Sequence, residues 1–170
     1  MGQVVRAIPR IYAALEECQA DHQSTVVEVA GKIAEKSIST LIDPSSTHSF
    51  ITPKVVEIFA FKKVKHIKLW LVHLATGTKG KVSEVVEKCP LVMNGWFTCV
   101  DMNVLPLGSY DVLIGMGWLE AHTVKLDYYH NTFEYMDKEG NSRVVRGIPK
   151  VISVRQISAT QLKIFCRKGF

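Results

Sequence analysis

The alternation of apolar and polar residues in the first third of the chain predicts a β-hairpin. Apolar, mostly β-branched residues lie on both sides of a polar turn at residues 34–36. Such side chains fit the pleated, half-buried surface of a strand, and the turn between them would join two strands. The first strand carries Val26, Val27 and Val29 before Gly31, and the second carries Ile38, Leu41 and Ile42.

The segment after this hairpin predicts one more short strand and then the first helix. Residues 49–51 read as the strand. Thr52 can cap a helix, and Pro53 fits the first helical position, where a backbone N–H has no partner in the helix anyway. We expect this helix to run to about Phe59.

A long hairpin is predicted from about residue 70 to residue 86. Residues 67–74 place apolar side chains on both faces, which is typical of a strand covered on both sides. A polar tip containing Thr76, Gly77 and Thr78 follows, and valines resume at position 82. Because this tip is polar and contains glycine, we expect it to project from the body as a lid.

The remainder of the chain predicts further β-structure. Asn94-Gly95 between two apolar runs is a strong hairpin signal, and residues 110–115 form a compact apolar strand ending on glycine. A short helix at residues 116–122 and a hairpin of residues 132–135 with 143–145 follow. The pattern therefore predicts an all-β domain with one or two short helices.

Length and composition indicate a single soluble domain. The chain has 170 residues, of which 47% are hydrophobic and 22% charged. No apolar run approaches the roughly 18 residues that span a bilayer, and no charged-then-apolar signal segment begins the sequence. Met1-Gly2 resembles a myristoylation site, but Arg6 stands where that site needs Ser or Thr. We expect an intracellular, cytoplasmic protein with no signal peptide and no membrane partner.

Cysteines and charge point to no metal, cofactor or nucleic acid. The four cysteines are far apart, without zinc-ligand spacing, and we expect them to be reduced. The formal charge of +5 comes partly from the cluster Lys62, Lys63, Lys65 and Lys68. A solvated strand edge that discourages aggregation is favoured for this cluster over a nucleic-acid site, because no recognition motif accompanies it.

One carboxylate stands out as a candidate for chemistry. In Leu41-Ile42-Asp43, two apolar strand residues run directly into an aspartate, followed by turn-forming residues. A lone aspartate at the end of a buried strand is more often a turn or cap residue than a catalytic one. The residues alone therefore favour a structural role for Asp43.

Two longer motifs carry a resemblance that changes this interpretation. The first reads Leu41-Ile42-Asp43-Pro44-Ser45-Ser46-Thr47-His48-Ser49-Phe50-Ile51, and the second reads Tyr110-Asp111-Val112-Leu113-Ile114-Gly115-Met116-Gly117-Trp118-Leu119. They resemble, in the same order, the active-site segment Leu-Ile-Asp-Ser-Gly-Ala-Thr-His-Ser-Phe-Ile and the segment Ile-Leu-Gly-Met-Asp-Trp-Leu of gypsy-type LTR retrotransposon proteases. These enzymes are retropepsin-like aspartic proteases.

The resemblance implies a fold and a domain organisation. We expect a retropepsin-like, closed or partly open β-barrel over residues 24–147, with the 70–86 hairpin as its flap. Residues 1–23 would be a leader or linker, and residues 148–170 a partly helical connector to the next part of a polyprotein.

The resemblance also implies the activity of an aspartic endopeptidase that needs no cofactor or metal. Asp43 would be the catalytic residue, and a homodimer would supply the second aspartate, because this chain has one such loop. The substrate would be an extended peptide or polyprotein. The other site residues would be Pro44, Ser45, Ser46 and Thr47 in the active-site loop, Thr76, Gly77 and Thr78 in the flap, and Leu113, Ile114 and Gly115 in the supporting strand.

Three departures from the family pattern favour an alternative, a catalytically impaired binding or dimerisation module. Ser45 replaces a glycine, and its Cβ would penalise a left-handed or closely approaching backbone and so deform the loop. Pro44 replaces a hydroxyl residue that bonds across the dimer in the family. Gly117 replaces an aspartate that would anchor the short helix.

Other polar residues near the motifs favour structural roles. His48 is expected to belong to the strand after the loop, and the nearby serines lack the elbow motif of a serine hydrolase. Asp101 and Asp127 are interpreted as turn or surface carboxylates, whereas Asp111 could bond backbone groups near the core. Trp70, Trp96 and Trp118 are expected to pack in the core or flap rather than to stack on bases.

Overall fold

The computed structural model describes residues 26–73 and 79–149. The predicted leader at residues 1–23, the flap tip Thr76, Gly77 and Thr78, and the connector beyond Pro149 lie outside the described residues. The described elements are β1 (Val27–Ile33), β2 (Lys36–Ile42), β3 (Phe50–Ile51), α1 (Pro53–Ile58), β4 (Val64–His73), β5 (Lys79–Met93), β6 (Trp96–Val104), β7 (Val112–Ile114), α2 (Met116–Ala121), β8 (Lys125–Asp127), β9 (Thr132–Met136) and β10 (Ser142–Arg146).

Six strands close into a barrel. They follow the order β1-β2-β7-β3-β6-β5, and β5 pairs back onto β1 at Gly31 with Met93 and at Lys32 with Val92. β4 lies outside this ring and pairs with β5. The prediction of an all-β, closed or partly open barrel with one or two short helices is confirmed, and the barrel is closed. Of the two described helices, neither is long and apolar enough to cross a membrane.

Both strongly predicted tight hairpins are present. Ala34 and Glu35 join β1 to β2 with φ values of 45° and 64°, and Asn94 and Gly95 join β5 to β6 with φ values of 48° and 81°. Two-residue turns with positive φ at both positions match the right-handed twist of the flanking strands. The sequence predicts that the first strand ends at Gly31, but β1 continues to Ile33.

β5 is a single strand of 15 residues that contains Pro90. Pro90 stays in the ladder opposite Cys99. The irregularity lies earlier, between Val86 and Cys89, where Lys88 has a φ of 50°. A bulge of this kind bends the strand without ending it.

The prediction that both faces of β4 are covered is wrong. Lys65 pairs with Glu84 and Trp70 with Val82, so residues 66–69 lie opposite Ser83 alone. This bulge turns Ile67 fully and Leu69 largely into solvent. The lysines of residues 62–68 are exposed on and beside this edge strand, as a solvated edge requires.

The two short helices form where the sequence places them. Thr52 occupies the N-cap of α1, but its side chain makes no capping hydrogen bond, contrary to the prediction, and its buried hydroxyl has no partner among the described residues. The backbone N–H of Thr52 donates instead to the carbonyl of Asp111 at 3.0 Å. This bond ties α1 to the beginning of β7.

A second, three-stranded sheet of order β10-β9-β8 packs on the barrel. The hairpin β9–β10 was predicted, whereas the three-residue β8 was not. Tyr135 of β9 stacks on Trp96 with ring centroids 3.5 Å apart, and Trp96 also contacts Trp118 of α2 at 5.3 Å. Phe133 and Val145 are buried in the same hydrophobic core as the barrel residues. The aromatic contacts therefore fix α2, and the loop before it, against both sheets.

Candidate active site

Asp43 leaves the barrel where two parallel strands end together. In β2 and β7, Leu41 lies opposite Leu113 and Ile42 opposite Ile114. The backbone N–H of Asp43 continues this ladder by donating to the carbonyl of Ile114 at 2.9 Å. The predicted supporting strand is thus directly beside the candidate catalytic residue, and buried apolar side chains on both strands hold its backbone rigidly.

The two oxygens of the Asp43 carboxyl group have different surroundings. Oδ1 accepts hydrogen bonds from the Ser45 backbone N–H at 2.9 Å and from the Ser45 hydroxyl at 2.6 Å. Oδ2 is buried and has no hydrogen-bond partner among the described residues. The whole residue is 0% exposed. A buried polar atom without a partner is costly, so this oxygen marks a place where another group or a proton belongs.

Burial raises the pKa of Asp43 above its ordinary value of 3.8, and the two hydrogen bonds from Ser45 oppose this rise. Burial, followed by the charge of Asp43, raises the pKa of Tyr128 in the turn after β8. Asp43 is therefore a carboxyl group that holds its proton more tightly than an exposed aspartate does.

Backbone contacts clamp the loop after Asp43 onto the start of α2. Met116 N–H donates to the carbonyl of Ser46 at 2.6 Å, and Gly117 N–H to that of Thr47 at 3.1 Å. A Cβ on Gly115 would lie 2.7 Å from the Ser46 carbonyl oxygen and still closer to that of His48. Glycine is needed at position 115 because the two backbones approach too closely for any side chain.

Residues 4–141 match the sequence profile of the family described as retroviral aspartyl protease. The chain belongs to this family.

A solved structure, the first of the two described next, shows the same fold. The retroviral protease-like domain of Ddi1 from Leishmania major is 15% identical, with a TM-score of 0.55 over 74% of this chain and 96% of that one. A retropepsin-like aspartic protease from Rickettsia conorii is also 15% identical, with a TM-score of 0.39 over 60% of this chain and 84% of that one. Among curated proteins, none matches the sequence. Identity this low supports the fold and no finer likeness.

The departures from the retroviral protease pattern do less damage than the sequence suggested. Ser45 is absent from the described residues with positive φ, so the expected left-handed strain is not present, and its side chain bonds Asp43 instead of deforming the loop. α2 forms without an acidic residue in its first turn, so the missing aspartate at Gly117 does not prevent it. Pro44 is half-buried and lines a small groove with Met116 and Leu119.

The serine side chains in and after the loop make hydrogen bonds to nearby backbone groups. The Ser46 hydroxyl donates to the His48 carbonyl at 2.8 Å, and the Ser49 hydroxyl accepts from Gly115 N–H at 3.0 Å. Asp111, as anticipated, bonds a backbone group, accepting from Ser39 N–H at 2.9 Å. These contacts agree with the structural roles favoured for the serines over a serine-hydrolase arrangement. His48 lies before β3 and not within it, contrary to the prediction.

A groove of about 730 Å³ lies between the bulged strand β4 and the residues that follow the active-site loop, His48 and Ser49, and Asp43 is not among its lining residues. Trp70 lies between two imidazoles, with ring centroids 4.7 Å from His48 and 4.8 Å from His66. His66 Nε2 also lies 2.8 Å from Asn103 Oδ1. Sequence reasoning did not single out His66 and Asn103, because the bulge of β4 is needed to bring His66 beside Asn103 of β6 in this groove. Among the described residues, no cluster of His, Cys, Asp or Glu is arranged to hold a metal ion.

Gly115→Ala should destabilise the protein by about 1–3 kcal/mol, because the new Cβ must push two backbone carbonyls aside. Urea denaturation measures the free energy of unfolding. The matched control is Gly117→Ala, whose Cβ would lie 3.3 Å from the Thr47 carbonyl oxygen and which gains helix propensity. Equal effects of the two substitutions would contradict the close approach at Gly115.

Asp43→Asn should stabilise a single copy more at about pH 7 than at about pH 3, relative to the unsubstituted protein. The folded state binds the Asp43 proton more tightly than the unfolded state, because burial raises its pKa. Stability is therefore lost as the pH rises from 3.8 through the folded pKa, and asparagine avoids this loss. Thermal unfolding of dilute protein at both pH values measures the difference, and a difference that does not change with pH would show that Asp43 titrates normally.

Proposed function

We propose that this chain is the aspartic endopeptidase of a retrotransposon polyprotein and acts as a homodimer with Asp43 from each copy. The observation that carries this proposal is the half-satisfied carboxyl group, whose Oδ1 is bonded by Ser45 and whose Oδ2 is buried without a partner in the described part of the chain. One copy offers one such group at the ends of the central barrel strands. A second copy related by a two-fold axis would offer its equal.

Peptide hydrolysis by aspartates requires two carboxyl groups that share a proton. One acts as base towards the attacking water and the other as acid towards the leaving nitrogen, and two adjacent carboxylates cannot both ionise. The raised pKa of Asp43 suits the member that keeps its proton. We expect a bell-shaped pH dependence whose two pKa values belong to the pair.

The groove and the flap hairpin support an extended peptide as the substrate. β4 and β5 pair antiparallel, and the last described pair of this hairpin is His73 with Lys79. Members of this family typically act as dimers on peptide substrates. We propose that Thr76, Gly77 and Thr78 close over the peptide, excluding water and offering backbone hydrogen bonds.

The gypsy-type retrotransposon origin and the intracellular location are part of the proposal. The two motifs around Asp43 and Gly115 support the origin, since both resemble gypsy-type proteases in order and spacing. Reduced cysteines would suit an intracellular location, and Cys89 and Cys99 form no disulfide.

A second candidate function is a retropepsin-like binding module without turnover. The full burial of Asp43 within one copy favours it, because a catalytic carboxyl group must reach water and substrate. Ser45 adds to this, since its side chain occupies one face of the carboxyl group where the family has glycine.

Cleavage of a mixed peptide library at mildly acid pH distinguishes the two functions. We expect pepstatin-sensitive cleavage, reduced by about 10²–10⁴-fold in Asp43→Asn, because the variant cannot supply the acid or the base. Mass spectrometry of the products measures the rate. Ser37→Ala is the control, since it removes an exposed hydroxyl from the same strand, far from the loop.

No pepstatin-sensitive cleavage at concentrations where the chain is dimeric would favour the binding module. Ser45→Gly should then be assayed in the same way. Turnover gained by that variant would assign the inactivity to Ser45, whereas continued inactivity would leave binding as the function.

A further inference from the structure

We propose that Ser45 is a positioning residue that holds Oδ1 of Asp43 as a permanent hydrogen-bond acceptor and so confines the exchangeable proton of this carboxyl group to Oδ2. Its meaning for catalysis rests on the proposed function, but the position of the proton does not. The sequence alone predicts the opposite, that Ser45 deforms the active-site loop.

The geometry around Oδ1 supports donation by both Ser45 groups. The backbone N–H can only donate, and it lies 2.9 Å from Oδ1. The Ser45 hydroxyl lies 2.6 Å from the same oxygen, a distance typical of a hydroxyl donating to a carboxylate. Two donors directed at one oxygen occupy its lone pairs. A proton on Oδ1 would have to displace one of these bonds.

The surroundings of Oδ2 leave it as the remaining place for a proton. It is buried and has no hydrogen-bond partner among the described residues, so a negative charge there is not stabilised by any donor. Protonation removes that charge. Burial thus favours the protonated group, and the two Ser45 bonds determine which oxygen carries the proton.

This asymmetry matters for a pair of identical carboxyl groups. In a symmetric dimer, either Asp43 can take the shared proton, but the proton needs one defined oxygen if the other is to bind water. A hydroxyl at position 45 defines that oxygen in each copy. Tyr128 is a further titratable group that interacts electrostatically with Asp43, and a tyrosine hydroxyl is neutral in the acid range.

The test is the titration of the Asp43 carboxyl carbon by NMR in protein labelled at aspartate, with Asp43→Asn assigning the signal. Loss of the Ser45 hydroxyl removes a donor that favours the charged form, so Ser45→Ala and Ser45→Gly should titrate at higher pH than the unsubstituted protein. Ser45→Thr keeps the hydroxyl and should restore the original midpoint. Ser37→Ala should leave it unchanged, and amide spectra verify that each variant is folded.

The outcomes separate this inference from the proposed function. An unchanged midpoint in Ser45→Ala overturns the role of Ser45, even if the protein cleaves peptides. An upward shift that Ser45→Thr reverses supports the role, even if no peptide is cleaved. An upward shift that Ser45→Thr does not reverse also overturns it, because the effect would then follow from packing rather than from the hydroxyl. If cleavage is present, its acid limb should move to higher pH in Ser45→Ala and stay in place in Ser37→Ala.

Discussion

The structure of this site depends on the buried carboxyl group of Asp43. One of its oxygens accepts hydrogen bonds, and the other has no hydrogen-bond partner among the described residues. The bare oxygen is costly in isolation, so the surrounding fold must hold it firmly for it to persist. The parallel pairing of β2 with β7 supplies that rigidity, and the bond from Asp43 N–H to Ile114 extends it to the aspartate itself. The contact of the loop with Gly115 completes the support.

The loop differs from the family pattern at the two positions that follow Asp43. Pro44 cannot donate a backbone hydrogen bond, and it has no hydroxyl to offer a partner copy. Ser45 supplies a hydroxyl one residue later, directed at the carboxyl group rather than across an interface.

The sequence predicted the barrel well, because local signals decide most of it. Asn94-Gly95 and the alternating apolar residues of β1 and β2 specify their hairpins by turn chemistry and burial alone. β8 is only three residues long, and its half-buried Leu126 gives no pattern to read. The bulge at residues 66–69 was also unpredictable, because its apolar residues have the same alternation as a covered strand.

The candidate site was only partly predictable for a similar reason. Asp43 and Gly115 are found by motif, whereas the contribution of Ser45 depends on a side-chain orientation that no residue pattern encodes. Physics alone favoured a turn aspartate at position 43, and the bond from Ser45 N–H to Oδ1 is a contact of that kind, whereas the buried Oδ2, which has no partner among the described residues, is not explained by it. Tyr128 approaches from a turn 85 positions later, beyond the reach of local reasoning.

The proposed mechanism requires that a single copy cannot cleave peptides and that two copies together supply the two aspartates. The most direct measurement is peptide-cleaving activity per chain as a function of concentration, with and without excess Asp43→Asn protein. We expect activity per chain to rise with concentration. The variant should suppress this activity, because it forms mixed dimers in which only the unsubstituted copy carries the Asp43 carboxyl group. Activity per chain that is independent of concentration and unaffected by the variant would contradict the proposed mechanism.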